Sequence, residues 1–137
     1  MRRILAAAGV AACLLVTPVQ AGIAAAATPG NHFTYGQCVW WAANTRPDIG
    51  ALVSGNAAAW PAAAQRAGLD TGSTPAPDAI VIFAPGVQGA WASGHAAHVN
   101  DVSPDGEHFT VDEMDFPVPG RVTQRVAHTG PGVTFIY

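Results

Sequence analysis

A change of hydrophobic period near Asp78 is the feature that most limits the fold of this chain. Before it, small and apolar residues recur at helical spacing in QCVWWAAN, from Gln37, and in GNAAAWPAAAQRAG, from Gly55. After it come five short runs typical of β-strands, divided by proline- and glycine-containing turns: residues 79–83, 95–102, 108–116, 121–126 and 133–137. Helices followed by consecutive strands predict an α+β domain, with N-terminal helices packed on an antiparallel β-sheet.

The N-terminus has the pattern of an export signal. MRR precedes an apolar run over residues 4–16, which is shorter than the about 20 residues needed to span a bilayer. We therefore predict a signal peptide over residues 1–21, with an alternative end at residue 27. The motif VAAC leaves open a lipid anchor at Cys13. A flexible lead-in over residues 22–30 and one domain over residues 31–137 complete the expected organisation.

The charge balance excludes some partners. The chain has 6 basic and 9 acidic residues and contains no lysine, and two of the arginines lie in the predicted signal peptide. The exported chain would carry a net charge near −5, with its four arginines scattered along the sequence. A phosphate-rich partner requires a basic stripe, so neither a nucleic acid nor an anionic membrane surface is an expected partner.

Cys38 is the one cysteine expected to remain after export. A single cysteine is compatible with a buried structural role and with a nucleophile. The predicted helix begins at Gln37 and ends before Pro47, which places Cys38 in its first turn. There the free backbone N–H groups and the positive end of the helix dipole stabilise a thiolate, so this position favours the nucleophile.

Two histidines and two acids are the candidate partners of this thiol. His95 and His98 lie three positions apart on one predicted strand, so their side chains point to opposite faces and only one can face Cys38. The same geometry separates their nitrogens, and we predict no metal site and no cofactor. Glu113 and Asp115 lie two positions apart on the next strand and therefore share one of its faces. A carboxylate there can orient an imidazole or simply be solvated.

Four motifs in order resemble the CHAP family, the cysteine- and histidine-dependent amidohydrolases and peptidases. They are YGQCVWWA, GNAAAW with AAQRAG, GHAAHVNDVSPDG and FTVDEMDF, and the resemblance extends over residues 31–137. It implies a papain-like fold and hydrolysis of amide bonds in bacterial peptidoglycan. From the predicted signal peptide we expect a protein that is secreted or located at the cell wall, and we expect it to be a monomer.

The resemblance implies a role for each site residue. Cys38 matches the nucleophile, and His95 matches the general base because it follows a glycine and precedes a DG turn by ten residues. Glu113 matches the acid that orients the histidine. Asp115 stands where the family commonly has asparagine, so how the two acids share this role stays open.

The identity of the amide bond also stays open. The resemblance is compatible with an N-acetylmuramoyl-L-alanine amidase and with a peptidoglycan endopeptidase. Tyr35 and Gln37 are close enough in sequence to Cys38 to line a substrate site. Two alternatives are a non-catalytic wall-binding protein and a secreted cysteine amidase or peptidase that acts on a non-wall substrate.

Overall fold

The structure, a computed structural model, describes residues 26–137. The predicted signal peptide, with Cys13, and the first part of the predicted lead-in lie outside the described residues. The helices are α1 (Cys38–Thr45), α2 (Pro47–Gly50) and α3 (Trp60–Arg66), with 3₁₀ turns at Ala57–Ala59 and Val87–Gly89. The strands are β1 (Thr71–Gly72), β2 (Ile80–Phe83), β3 (His95–Val102), β4 (His108–Met114), β5 (Val122–His128) and β6 (Val133–Ile136). Within residues 26–137, no helix is long and apolar enough to cross a membrane.

The six strands form one antiparallel sheet, which confirms the predicted fold class. The strand order is β1-β6-β2-β3-β4-β5. Sequence periodicity locates five of these strands to within two residues at either end, but not the two-residue β1 or the four-residue α2, which are too short to show a period. The predicted fourth segment ends at residue 126, whereas β5 continues to His128.

Each face of the sheet carries a buried apolar cluster. On one face, Ile80, Ile82 and Ala96 pack against the helices, and the fully buried Trp60 of α3 fills the space between the layers. Burying a large apolar side chain contributes on the order of 3 kcal/mol relative to exposing it. The other face has its own cluster, in which the rings of Phe109 and Phe135 meet edge to face with centroids 5.1 Å apart.

Close packing and hydrogen bonds fix α1 relative to the sheet. Gly50 lies directly against Ala43 of α1, since a Cβ atom at Gly50 would come within 2.6 Å of the Ala43 Cβ. From α1, the Trp41 indole N–H donates to Asp112 Oδ2 of β4 at 2.6 Å. The helix that carries Cys38 is therefore tied to β4, the strand that also carries Glu113.

His98 extends the hydrogen-bonded connection between Trp41 of α1 and Asp112 of β4. Its Nδ1 lies 2.9 Å from Asp112 Oδ1, and its Nε2 lies 2.9 Å from Asp78 Oδ1. The hydrogen bond with Asp112 is the largest cause of a raised His98 pKa, and burial opposes it. Because the folded pKa is raised, the stabilisation is fully present below the ordinary pKa and is lost as the pH rises through the folded value.

Candidate active site

Cys38 is the first residue of α1, one residue after the predicted helix start, and it lies in the first turn as the sequence pattern predicts. Gln37 precedes it in an extended conformation as the N-cap residue, and the Cys38 thiol is free and half-buried. The first N–H groups of a helix have no acceptor within it, so they are available to an anion beside the Cys38 side chain. This end of α1 can therefore stabilise negative charge on the sulfur or on a bound oxygen.

His95 lies beside this thiol as the first residue of β3. Its imidazole is 5% exposed, and its Nε2 lies 2.8 Å from Glu113 Oε2. Burial alone would lower the pKa of His95. Hydrogen bonds and charge interactions with Cys38 and Glu113 outweigh burial and raise the pKa from 6.5 to about 9. The structure thus favours a protonated imidazole between a thiol and a carboxylate.

Glu113 is fully buried and has two partners. Its Oε2 faces His95, and its Oε1 accepts a hydrogen bond from Arg125 Nε at 2.8 Å. The Arg125 guanidinium lies over the rings of Phe83 and Phe116, 4.9 and 4.4 Å from their centroids. A buried carboxylate needs a hydrogen-bonded partner of opposite charge to compensate for its lost hydration, and Arg125 is that partner of Glu113. Arg125 therefore holds the acid that in turn orients His95.

The sequence pattern was not used to predict a role for Arg125, although its position in the inward–outward alternation of β5 indicates an inward-facing side chain. Arg125 pairs with Val111 across the β4–β5 ladder, and Thr123 pairs with Glu113. Alternation along the strand puts Arg125 on the same face as the buried Ala127, whereas Gln124 and Val126 are exposed. An arginine on the inward face of a strand requires a buried partner, and that partner is Glu113.

The prediction that Asp115 shares a strand face with Glu113 is wrong. β4 ends at Met114, and Asp115 adopts a left-handed backbone conformation with φ 67°. Its Oδ1 accepts the Gly120 N–H at 2.9 Å, and the residue is exposed. Glu113 therefore points to His95, while Asp115 lies at the rim of the cavity that Cys38 and His95 line.

The cavity beside Cys38 includes some of the predicted residues and others that were not predicted. Gln37 lines it together with Cys38, whereas Tyr35 is 55% exposed and its ring packs edge-on against Trp40. Trp91, four residues before His95, lines the adjoining part and is 74% exposed. The signal available in the sequence was a tryptophan four residues before the candidate histidine.

The other histidines lie apart from the thiol. His98 belongs to the network with Asp112 and Asp78, on the opposite face of β3 from His95. His108 is paired with Asp105 at 2.7 Å on the surface. Over the described part of the chain, no three or more His, Cys, Asp or Glu side chains are grouped so that they could hold a metal ion.

Gly94 positions His95 by a close backbone approach. Its φ is +73°, and a Cβ atom there would lie 2.8 Å from the Ala58 backbone nitrogen, which donates to Ser93 O. We expect Gly94→Ala to displace His95 and to lower kcat/KM about 100-fold, because small misplacements of reacting groups have effects of that size. The variant should be assayed for amide hydrolysis and for thermal unfolding.

Gly86→Ala is the matched control for Gly94→Ala. Gly86 has φ +80°, but a Cβ atom there would meet nothing within 4 Å. Both variants share the cost of a left-handed alanine, about 1 kcal/mol, and only Gly94→Ala adds the clash. Equal loss of activity in both variants would mean that close packing at Gly94 does not position His95.

The sequence matches a known family. The family model of the CHAP domain matches residues 28–115. The staphylococcal secretory antigen ssaA2 of Staphylococcus aureus (strain NCTC 8325) is 35% identical over 113 residues, which is 78% of this chain and 39% of that protein. The probable autolysin LDP of the same strain is 36% identical over 93 residues, which is 66% of this chain and 31% of that protein.

A solved structure is similar as well. The crystal structure of an N-acetylmuramoyl-L-alanine amidase from Staphylococcus aureus superposes with a TM-score of 0.65 and 28% identity. The match covers 74% of this chain and 30% of the amidase chain. The chain thus spans about two fifths or less of the length of these relatives.

Proposed function

Because the chain belongs to the CHAP domain family, we propose that it is a secreted cysteine hydrolase that cleaves amide bonds of peptidoglycan. The observation that carries the proposal is the contact series from Cys38 through His95 to Glu113. A thiol at a helix N-terminus, an imidazole and a buried acid are the groups required for thiol-based acyl transfer. The named activities of the amidase and the autolysin support peptidoglycan as the substrate.

We propose the domain boundaries on the same basis. Residues 1–21 would be a signal peptide, and the secretory antigen among the relatives supports export. The proposed lead-in covers residues 22–30 and the proposed domain covers residues 31–137. Thr28 in the lead-in already contacts the domain, since its N–H donates to Asn44 Oδ1 of α1 at 2.6 Å. A cut after residue 21 or after residue 27 leaves this contact in place.

The reaction begins with the Cys38 thiolate and the His95 imidazolium. The sulfur attacks the amide carbon, and the carbonyl electron pair moves to oxygen, where the first-turn N–H groups of α1 stabilise it. When the tetrahedral intermediate collapses, His95 gives its proton to the nitrogen, and the C–N bond breaks to release the amine. Neutral His95 then takes a proton from water, which attacks the thioester and releases the carboxylic acid and Cys38.

Glu113 keeps His95 in the geometry that these transfers require. Its hydrogen bond to Nε2 leaves the other ring nitrogen, Nδ1, for the thiol, and its charge stabilises the imidazolium. Arg125 holds Glu113 from the other side. We therefore assign the orienting role to Glu113, since the Asp115 carboxylate is hydrogen-bonded to Gly120.

We expect the activity to fall on the alkaline side as His95 loses its proton. The His95 pKa is raised to about 9, so below that pH the imidazolium is present to protonate the leaving amine. kcat/KM should decrease as the pH rises through about 9. The contacts of His95 with Cys38 and Glu113 should also stabilise the fold less over the same pH interval. Stabilisation that comes from a raised pKa is complete below pH 6.5 and is lost as the pH rises through about 9.

The pH dependence is measured as kcat/KM on a soluble muropeptide from pH 5 to 11. His98→Gln serves as the control, since His98 does not contact Cys38 or His95 and its loss should leave the alkaline decrease in place. A rate that stays constant to pH 11 would contradict the role of His95 as the proton donor.

Digestion of purified peptidoglycan tests the proposed function directly. Mass spectrometry of the products identifies the bond: new L-alanine termini with free lactyl groups indicate an amidase, and new termini within stem or bridge peptides indicate an endopeptidase. Because the proposed nucleophile is a thiol, chelators should leave the activity unchanged and alkylation should remove it. If the protein sediments with the wall and releases no termini, it is a binding protein and the hydrolase proposal fails.

A further inference from the structure

The Asp115 carboxylate, which has no cationic partner among the described residues, lies beside the candidate nucleophile. Asp115 lines both parts of the cavity next to Cys38. Within the described chain, neither part is lined by a lysine or an arginine, and no basic side chain lies within 4.0 Å of the Asp115 carboxylate. The proposed mechanism makes no use of this charge.

The backbone holds Asp115 in a fixed position. Its φ of 67° is uncommon for a residue with a side chain, and two hydrogen bonds maintain it. The Asp115 N–H donates to Arg121 O at 3.1 Å, and Oδ1 accepts the Gly120 N–H at 2.9 Å. An asparagine would accept the same hydrogen bond, so this contact does not require the negative charge. The charge remains available to a ligand.

Trp91 lines the same cavity as Asp115. Its side chain is 74% exposed, the largest exposure among the large hydrophobic residues of the described chain. Aromatic faces attract cations, and tryptophan does so most strongly. A carboxylate and an indole around one cavity are complementary to a group that is cationic and only moderately hydrated.

We propose that Asp115 and Trp91 form a subsite for a primary ammonium group of the peptide substrate, next to the bond that Cys38 attacks. The inference rests on the proposed function and narrows its substrate to amides that carry a free amine nearby. In a wall peptide this amine is either the side-chain amine of a diamino acid or the free α-amine of an uncross-linked bridge. Both present the same charge to Asp115.

Four peptides and one isosteric variant test the subsite. The first pair is a muramoyl stem peptide with lysine at its third position, free or acetylated at the side-chain amine. The second pair carries a glycine bridge on that lysine, free or acetylated at its α-amine. In one pair, acetylation should raise the KM of the wild-type protein about 5-fold, the upper range for a partly exposed ion pair, with kcat unchanged. The responding pair identifies the source of the amine.

Asp115→Asn should reduce that KM ratio to about 1 by raising the KM of the free amine alone. Asp70→Asn is the control, because Asp70 is exposed, lies outside the cavity and changes the net charge equally. Trp91→Ala should reduce the ratio in part. If Asp115→Asn lowers kcat on free and acetylated peptides alike, Asp115 positions the reacting groups and the subsite proposal fails, while the hydrolase proposal stands.

Binding to Cys38→Ala separates the subsite from the chemistry. Titration calorimetry with the same four peptides should show tighter binding of the free amine in the responding pair. If wild-type protein cleaves none of the peptides but this difference is present, the subsite stands and the hydrolase proposal fails. Equal binding of the free and acetylated peptides in both pairs would overturn the subsite.

Discussion

Cys38→Ala should abolish peptidoglycan hydrolysis, with a loss in kcat of at least about 10⁴-fold, the range found when a nucleophile is removed. The thiol is the nucleophile of the proposed reaction, and nothing else in the cavity forms the thioester. Cys38→Ser should lose nearly as much, because a serine hydroxyl does not form an ion pair with the neighbouring imidazole. Release of new amino termini from purified peptidoglycan measures both variants.

The two Cys38 substitutions should leave the fold intact. Cys38 is half-buried at the start of α1, and alanine fits a first helical turn. The thermal unfolding midpoint should therefore stay close to that of the wild type. Sedimentation with the wall should persist in Cys38→Ala, since the cavity is not filled. Retention of wild-type activity in either variant would contradict the thiol mechanism.

The fold was predictable because the helices and the strands differ in the spacing of apolar residues along the sequence. β2 is buried along its whole length, and its apolar run AIVIF is recognisable without any partner strand. What the sequence could not supply is where β4 ends. β4 ends at Met114 because the next residue enters the left-handed region, and a regular alternation of residues does not reveal this turn.

The site was predictable where local geometry determines it. The position of Cys38 follows from where the helix begins, and the separation of His95 from His98 follows from strand alternation. The contact between Glu113 and Arg125 joins residues twelve positions apart on paired strands, so it depends on the register of β4 with β5. A register is set by tertiary packing, and the single sequence does not contain it.

His95→Ala and His98→Ala should have different effects, although the two residues lie three positions apart on β3. His95→Ala removes the group that activates Cys38 and protonates the leaving amine, so kcat should fall about 10⁴-fold. His98→Ala leaves those contacts in place and should retain most of kcat. Assays of kcat on peptidoglycan fragments, with protein amounts corrected for the folded fraction, measure the difference.

Thermal unfolding at acidic pH should show that His98→Ala lowers the stability of the fold. His98→Ala removes the imidazole that joins Asp112 to Asp78, and loss of charge-assisted hydrogen bonds of this kind costs about 1.5–3 kcal/mol. Since the His98 pKa is raised, the decrease in Tm should be largest at pH 6 and should become smaller as the pH rises through the folded pKa of the wild-type imidazole. Equal losses of kcat in two folded variants would mean that His98 also contacts the reacting groups, and the assignment of His95 alone as proton donor would be wrong.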